Sequence, residues 1–397
     1  MKNLIIVMLS LLCSAGIAQN LSKSPKVANV VNGLTVCNIS LLKDTLVFPL
    51  SYFTEEMKIV KLEMSNEAVV GPDAVVIGEQ HILVKGRANN PCKLFTIEGK
   101  FITKIGAYGR GPGEYTNVYD MVLDEKNNRI YLLPWSAQSI LVYDLKGNVL
   151  DPVRLPMNVP KGKFFVDPSG KTVSVFALPW MGSPYVAWTQ TISGEVINGI
   201  APGHLIINPR DASGTFSGFN HEIMSGKHTP NTMDMFLFTF DTTRPDTLYH
   251  YDSKANRLNP QFVADFSKRS SIEYPAYVEL PHHFMGNFST KELKQVGPNT
   301  VSPTLRFFFV VEKSTLKGNF FKLKNDFLGD AEIGWPIYAF SDGYFSKNYD
   351  PGDLLEDLEK LLLNKKLSAP MRQKLTQLMN SISEKDNNYI FYAKLKN

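Results

Sequence analysis

Three stretches of the chain, beginning at His81, Arg129 and Thr172, repeat one plan of apolar and polar positions. Each opens on a β-branched or aromatic run, breaks in a polar loop, resumes in a second run, turns at a glycine and ends in a third run. Such short apolar runs between turn residues are the pattern of β-strands. The turn glycines, Gly99, Gly147 and Gly194, stand 48 and 47 residues apart. A period of that length, with hairpin turns and no helical pattern between the runs, predicts the blades of a β-propeller. Looser copies begin at Met235 and Arg306, and a last pair of runs, PIYAFSDGYFSKNY and NNYIFYAKLKN, is split by a helical insertion over residues 353–383. In the insertion Leu354, Leu355, Leu358, Leu361 and Leu362 share one helical face. Asp353, Glu356 and Asp357 come early and Lys365 and Lys366 late, as a helix dipole favours. Ser368 and Pro370 read as the start of a second helix.

The count is six blades, in an all-β fold with one insertion. A ring of sheets has to close, because an open edge strand invites pairing with other chains. The last run ends the chain without a partner, and IVKLE at Ile59–Glu63 has no blade of its own. We therefore expect an N-terminal strand to complete the blade that the C-terminus begins.

The first residues change the picture of where this ring works. Lys2, the apolar run Leu4 to Leu12 and the small residues Gly16-Ile17-Ala18 read as an export signal cleaved after Ala18, leaving residues 19–397 as one propeller domain. The run is too short to span a bilayer. Cys13 would be a lipid-anchor site, but Leu12 precedes it in place of a small residue. An exported chain of this kind works in the periplasm or at the cell surface of a Gram-negative bacterium. Cys37 and Cys92 then form a candidate disulfide, worth roughly 4 kcal/mol in the chain-entropy model; the bland alternative is two buried thiols. The net charge of +4 is small, and no basic stripe interleaved with aromatics argues for nucleic acid.

The segment IGAYGRGPGEYTNVYDMVLDEKNNRIYLLPWSAQSILVYDLKGNVL, residues 105–150, resembles an NHL-type repeat, and its GxGPGEY form resembles six-bladed propellers from the envelopes of anaerobic gut bacteria. Leu133-Pro134-Trp135 stands where many such repeats carry an aspartate. The resemblance implies the fold and says little of activity, since propellers host binders, hydrolases and scaffolds alike.

Within YGRGPGEY, Gly109, Gly111 and Gly113 lack the lysine and the following helix of a nucleotide loop. Pro112-Gly113 suits the centre of a type II turn with Tyr115 packed beneath it, on the face around the channel mouth. Arg110 and Glu114 are less constrained by the turn. Leu-Pro-Trp recurs at Trp135 and Trp180, 45 residues apart, in the loop between second and third strands on that same face. Arg87 and Arg244 fall in the corresponding loops of other blades. Together these residues form a candidate rim for a glycan, a peptide or a small anion; alternatively each tryptophan only fills the gap between blades.

Histidines His221, His228, His250, His282 and His283 show no metal-ligand spacing, so neither a metal site nor a cofactor is expected, with Ca²⁺ the one cation left open. Asp120, Asp124, Asp144 and Asp342 read as turn residues. The reading is an exported binding or interaction module, with a cation-dependent hydrolase or lactonase, or a scaffold for an envelope protein, as the alternatives.

Overall fold

The structure is a computed structural model that describes residues 23–86, 89–207, 223–228, 233–237, 246–266, 273–289, 293–297, 300–303 and 306–397. Six sheets stand in a ring, each with its first strand at the axis. Blade 1 comprises Val75–Ile77, His81–Val84, Cys92–Thr96 and Phe101–Ile105; blade 2, Val118–Asp124, Arg129–Pro134, Ser136–Tyr143 and Val149–Pro160; blade 3, Lys163–Val166, Thr172–Phe176, Ala187–Thr191 and Val196–Ile200. Blade 4 comprises Ile223–Met224, Met233–Leu237, Thr247–Asp252 and Arg257–Asp265; blade 5, Glu273–Glu279, His283–Ser289, Arg306–Glu312 and Gly318–Asn325. Blade 6 is made from both ends of the chain: Phe340–Ser341, Tyr344–Tyr349 and Tyr389–Lys394, then Lys58–Lys61 as its outermost strand.

The closure expected from the unpaired ends is thus present. Lys58–Lys61 runs antiparallel to the last strand, with Tyr389 opposite Lys61 and Tyr392 opposite Lys58. The hairpin turn of blade 1 locks onto it. Gly99 has φ 88°, its carbonyl accepts the Glu63 N–H at 2.8 Å, and a Cβ there would meet the Lys61 carbonyl at 2.3 Å, so only glycine fits.

The N-terminal segment does more than close the ring. Ala28–Val31 and Leu34–Asn38 form a hairpin that extends blade 4, Leu34–Asn38 pairing parallel to the outer strand (Thr35 opposite Phe262). Thr45–Pro49 pairs parallel to the outer strand of blade 5 (Thr45 opposite Phe320). Cys37 lies in the added hairpin of blade 4 and Cys92 begins the third strand of blade 1. Both are buried free thiols, so the candidate disulfide is not formed: the two cysteines belong to different sides of the ring.

The insertion folds as two helices, α1 (Pro351–Leu362) and α2 (Ala369–Asn380), capped by the side chains of Asp350 and Ser368. Leu354, Leu358 and Leu375 are buried against Leu328, Tyr349 and Phe391, so the pair covers the junction of blades 5 and 6. No helix among the described residues is long and apolar enough to cross a membrane.

Alternating strand direction gives the ring two unlike faces. The upper face carries the blade-to-blade links and the loops from second to third strands; the lower face carries the two hairpin turns of each blade. The axis between them is where buried charge collects.

Candidate functional site at the upper channel mouth

The YGRGPGEY turn links blade 1 to blade 2 on the upper face. Gly113 has φ 71° and the Glu114 N–H donates to the Gly111 carbonyl at 3.0 Å, the geometry of a type II turn. Tyr115 is buried below; its hydroxyl donates to the Ile105 carbonyl at 2.6 Å and accepts the Cys92 N–H at 2.8 Å. Glu114 folds back on the turn, accepting the Gly111 N–H at 2.8 Å, and makes no ion pair with Arg110, which stands exposed.

Beside this turn the Trp135 N–H donates to the Asn117 carbonyl at 3.0 Å. The Trp135 ring meets Tyr119 edge-on at 5.7 Å and carries the Lys161 ammonium over its face at 4.6 Å. Tyr119 in turn has the Lys163 ammonium 5.1 Å from its ring. Trp180 has a different setting. It packs with Phe165 and Leu178 in the core between blades 3 and 4, its backbone bridged to Ile207. Of the four described rim residues, Trp135 alone neighbours the axial charge described next; Arg87 and Arg244 lie outside the described residues.

The centre of that charge is Asp120. It was expected in a turn, but it is the third residue of blade 2's inner strand and faces the axis. Asp124, Asp144 and Asp342 do sit at turns; Asp144 accepts the N–H groups of Lys146 and Asn148. Asp120 accepts from Lys163 Nζ at 3.2 Å, Lys227 Nζ at 2.9 Å and the Phe164 N–H at 3.0 Å. Asp120 and Lys227 are each only 7% exposed. Burial opposes the charged carboxylate, but the two lysines and the hydrogen bonds outweigh it and hold Asp120 below the ordinary aspartate pKa. Burial likewise opposes the Lys227 charge, and Asp120 with Asp342 and Asp234 raises its pKa above the usual lysine value.

Lys227 reaches Asp120 because its backbone leaves the sheet. It has φ 51°, a left-handed conformation costly for lysine, held by Asp234, whose carboxylate accepts the N–H groups of Gly226 at 2.8 Å and Lys227 at 2.9 Å. The Asp342 N–H donates to the Gly226 carbonyl at 2.8 Å and the Gly343 N–H to His228 Nδ1 at 3.1 Å. Residues 225–228 of blade 4 therefore bond to blade 2 on one side and blade 6 on the other. They form a crossbar over the axis. Below it Glu279 binds His250 and Lys313, and its pKa lies low because these partners outweigh burial.

Above the crossbar one ammonium is left over. Lys85, just past blade 1's second strand, is half-buried; its N–H donates to the Ala74 carbonyl at 2.9 Å, and its ammonium makes no hydrogen bond or ion pair with another described residue. Burial and the neighbouring Lys163 charge depress its pKa, against the pull of Asp73 and Asp120. The axis thus gathers Lys85, Lys163 and Lys227 with Asp73, Asp120, Asp234 and Asp342, while Lys161 lies over the Trp135 ring beside it. Sequence reasoning missed the lysines. The one available signal was charge inside inner strands that otherwise read as apolar, at Asp120 and Lys163.

Six four-stranded units around an axis, closed by a strand from the opposite end of the chain, define a six-bladed β-propeller. The chain belongs to the DUF4934 family, described as a domain of unknown function, whose model matches residues 34–394. A solved structure named as an exported protein of Bacteroides fragilis is similar at 17% identity, over 86% of this chain and 95% of that one, with a TM-score of 0.57. A member of the duf4221 family from Bacteroides vulgatus is similar at 10% identity over 86% of this chain and 97% of that one, with a TM-score of 0.46. No curated protein matches the chain.

Proposed function

We propose that this chain is an exported binding module of the cell envelope that takes its ligand at the upper mouth of the propeller channel. The observation that carries this reading is Trp135: its ring stands at the mouth, met edge-on by Tyr119 and covered by Lys161, with Tyr119 linking it to Lys163 of the Asp120–Lys163 pair. An aromatic face with cations around it suits a ligand with one flat apolar side and a polar periphery. Export rests on the apolar N-terminal run before Ala18 and on the kinship of fold with a protein named as exported. The NHL-like reading of residues 105–150 belongs to the same proposal, with the Trp135 N–H bond to Asn117 tying the loop that lacks the usual aspartate.

A thermal-shift screen of envelope glycans, peptides and small acids tests it. Trp135→Ala should abolish the shift produced by any true ligand, whereas Trp180→Ala should lower the melting temperature and leave the ligand shift in place. A ligand whose shift survives Trp135→Ala would overturn the proposal.

A further inference from the structure

Blade 5 parts partway along its outer strands. Its third strand, Arg306–Glu312, stays paired along its whole length to His283–Ser289, from Glu312 opposite His283 to Arg306 opposite Ser289. Its ladder to the fourth strand covers only Val311 opposite Gly318, Val310 opposite Asn319 and Phe309 opposite Phe320. Beyond Phe320 the fourth strand belongs to other partners. Thr45–Pro49 holds one edge, and Ala331–Ile333 takes, at residues 323–325, the edge that the third strand has left. A cavity of about 320 Å³ occupies the gap. Each strand gives it two rings: Phe307 lies 5.7 Å from Phe320 and Phe308 lies 6.3 Å from Phe321 between ring centres. Ligand pockets run from about 300 to 1,000 Å³, so this one has room for a single ring and a short chain.

One charge in the lining is unanswered. Lys322 and Glu332 answer each other at 3.6 Å. Arg306 also lines the cavity, is half-buried and pairs with no carboxylate among the described residues. Its guanidinium lies over the Trp335 ring at 4.2 Å and bonds the Tyr338 hydroxyl. Burial lowers the Arg306 pKa, and the Tyr338 oxygen offsets this only in part. The two contacts fix the plane of the guanidinium and leave donors of its five-donor fork unused.

From this we infer a second ligand site, for a small apolar acid: one carboxylate paired with Arg306, and one aromatic or branched aliphatic group between the phenylalanine rings. A single cation matches a single anion, and a carboxylate meets a guanidinium through two parallel hydrogen bonds. Four phenyl rings favour an apolar body over a hydroxylated sugar. Blade 5 stands across the ring from blade 2, so this site is independent of the channel mouth.

The experiment is calorimetric titration of the intact chain with hydrocinnamate, with its neutral counterpart hydrocinnamyl alcohol, and with acetate. The acid should bind, and the alcohol and acetate roughly tenfold or more weakly, since each keeps one half of the recognition. Arg306→Gln should weaken the acid by about the same factor and remove its advantage over the alcohol. Should loss of the stack on Trp335 unfold that variant, Gly334→Phe decides. A Cβ on Gly334 would meet nothing within 4 Å, so the new ring can enter the cavity with Arg306 intact. Acid binding should again fall, at an unchanged melting temperature, whereas Trp135→Ala should leave it as it was. No binding of the acid at millimolar concentration, equal binding of acid and alcohol, or binding that every folded variant of Arg306 and Gly334 leaves unchanged would overturn the inference. Loss of acid binding in Trp135→Ala would also overturn it, by moving the acid to the channel mouth.

Discussion

Blades 1 to 3 and blades 4 to 6 share a four-strand plan and differ in who finishes them. The first three are built from contiguous chain and carry no added strand. The last three are each extended or completed by the N-terminal segment: a hairpin on blade 4, a parallel strand on blade 5 and the outermost strand of blade 6. One half of the ring is held by its own hairpins, the other by a belt running around its outside. The axial charge divides along similar lines. Lys85, Asp120 and Lys163 at the open mouth come from the self-contained half, whereas Asp234, His250, Glu279 and Lys313 beneath the crossbar come from the belted half. The difference teaches that the mouth is framed by rigid, locally determined blades, while the floor depends on both ends of the chain.

The largest effect should follow from cutting the belt. Deleting residues 23–61 removes the outermost strand of blade 6, and deleting 389–397 removes its third strand; either uncovers its core, and we expect loss of cooperative unfolding, read by circular dichroism on heating. Shortening the upper-face loop of blade 1 between Val84 and Cys92 should cost far less.

Next comes Asp120→Ala, which leaves Lys163 and Lys227 charged beside an apolar gap. Removing one partner of a buried ion pair costs about 3–5 kcal/mol, so denaturant unfolding should show a loss of that order. The exposed pair of Lys360 with Glu356 on α1 should cost under about 1 kcal/mol when broken.

Acid should act on the belted half. His228 and His283 are held neutral by burial, their pKa values lowered from 6.5 to about 4. The unfolded chain therefore binds more protons between those values, and stability falls as pH drops from about 6.5 towards 4. Each histidine accounts for up to about 3 kcal/mol across that window. Denaturant titrations at pH 7 and pH 4.5 check this, and His283→Phe should flatten the dependence.

The smallest effect concerns Lys85. Its pKa lies below the usual lysine value of 10.5, so the unfolded chain binds more protons above that lowered value and stability should rise slightly as pH climbs towards 10.5. Denaturant unfolding at pH 7 and pH 9.5 checks the direction, and Lys85→Arg should abolish this contribution.

The regular half was legible in the sequence because Gly99, Gly147 and Gly194 repeat a hairpin turn that local chemistry demands. The closure was legible too, since Ile59–Glu63 and the last run each lacked a partner. The belt was not. Thr45–Pro49 pairs parallel to a strand far along the chain, and nothing in DTLVFPL names that partner. At the site, Trp135 stood out by its repeat with Trp180, yet the repeat hid a difference in setting: one ring lines the mouth and the other fills a core. The lysines escaped notice because they are scattered over blade 1 (Lys85), the start of blade 3 with the link before it (Lys163 and Lys161) and blade 4 (Lys227), and only ring closure brings them together.

The most direct test of the account is hydrogen exchange of the intact protein with and without a ligand identified in the thermal-shift screen. The account predicts slowed exchange in peptides spanning residues 118–122, 161–164 and 225–228, with α1 and α2 unchanged. Protection confined to the lower turns or to the helices, with these three segments unaffected, would contradict it.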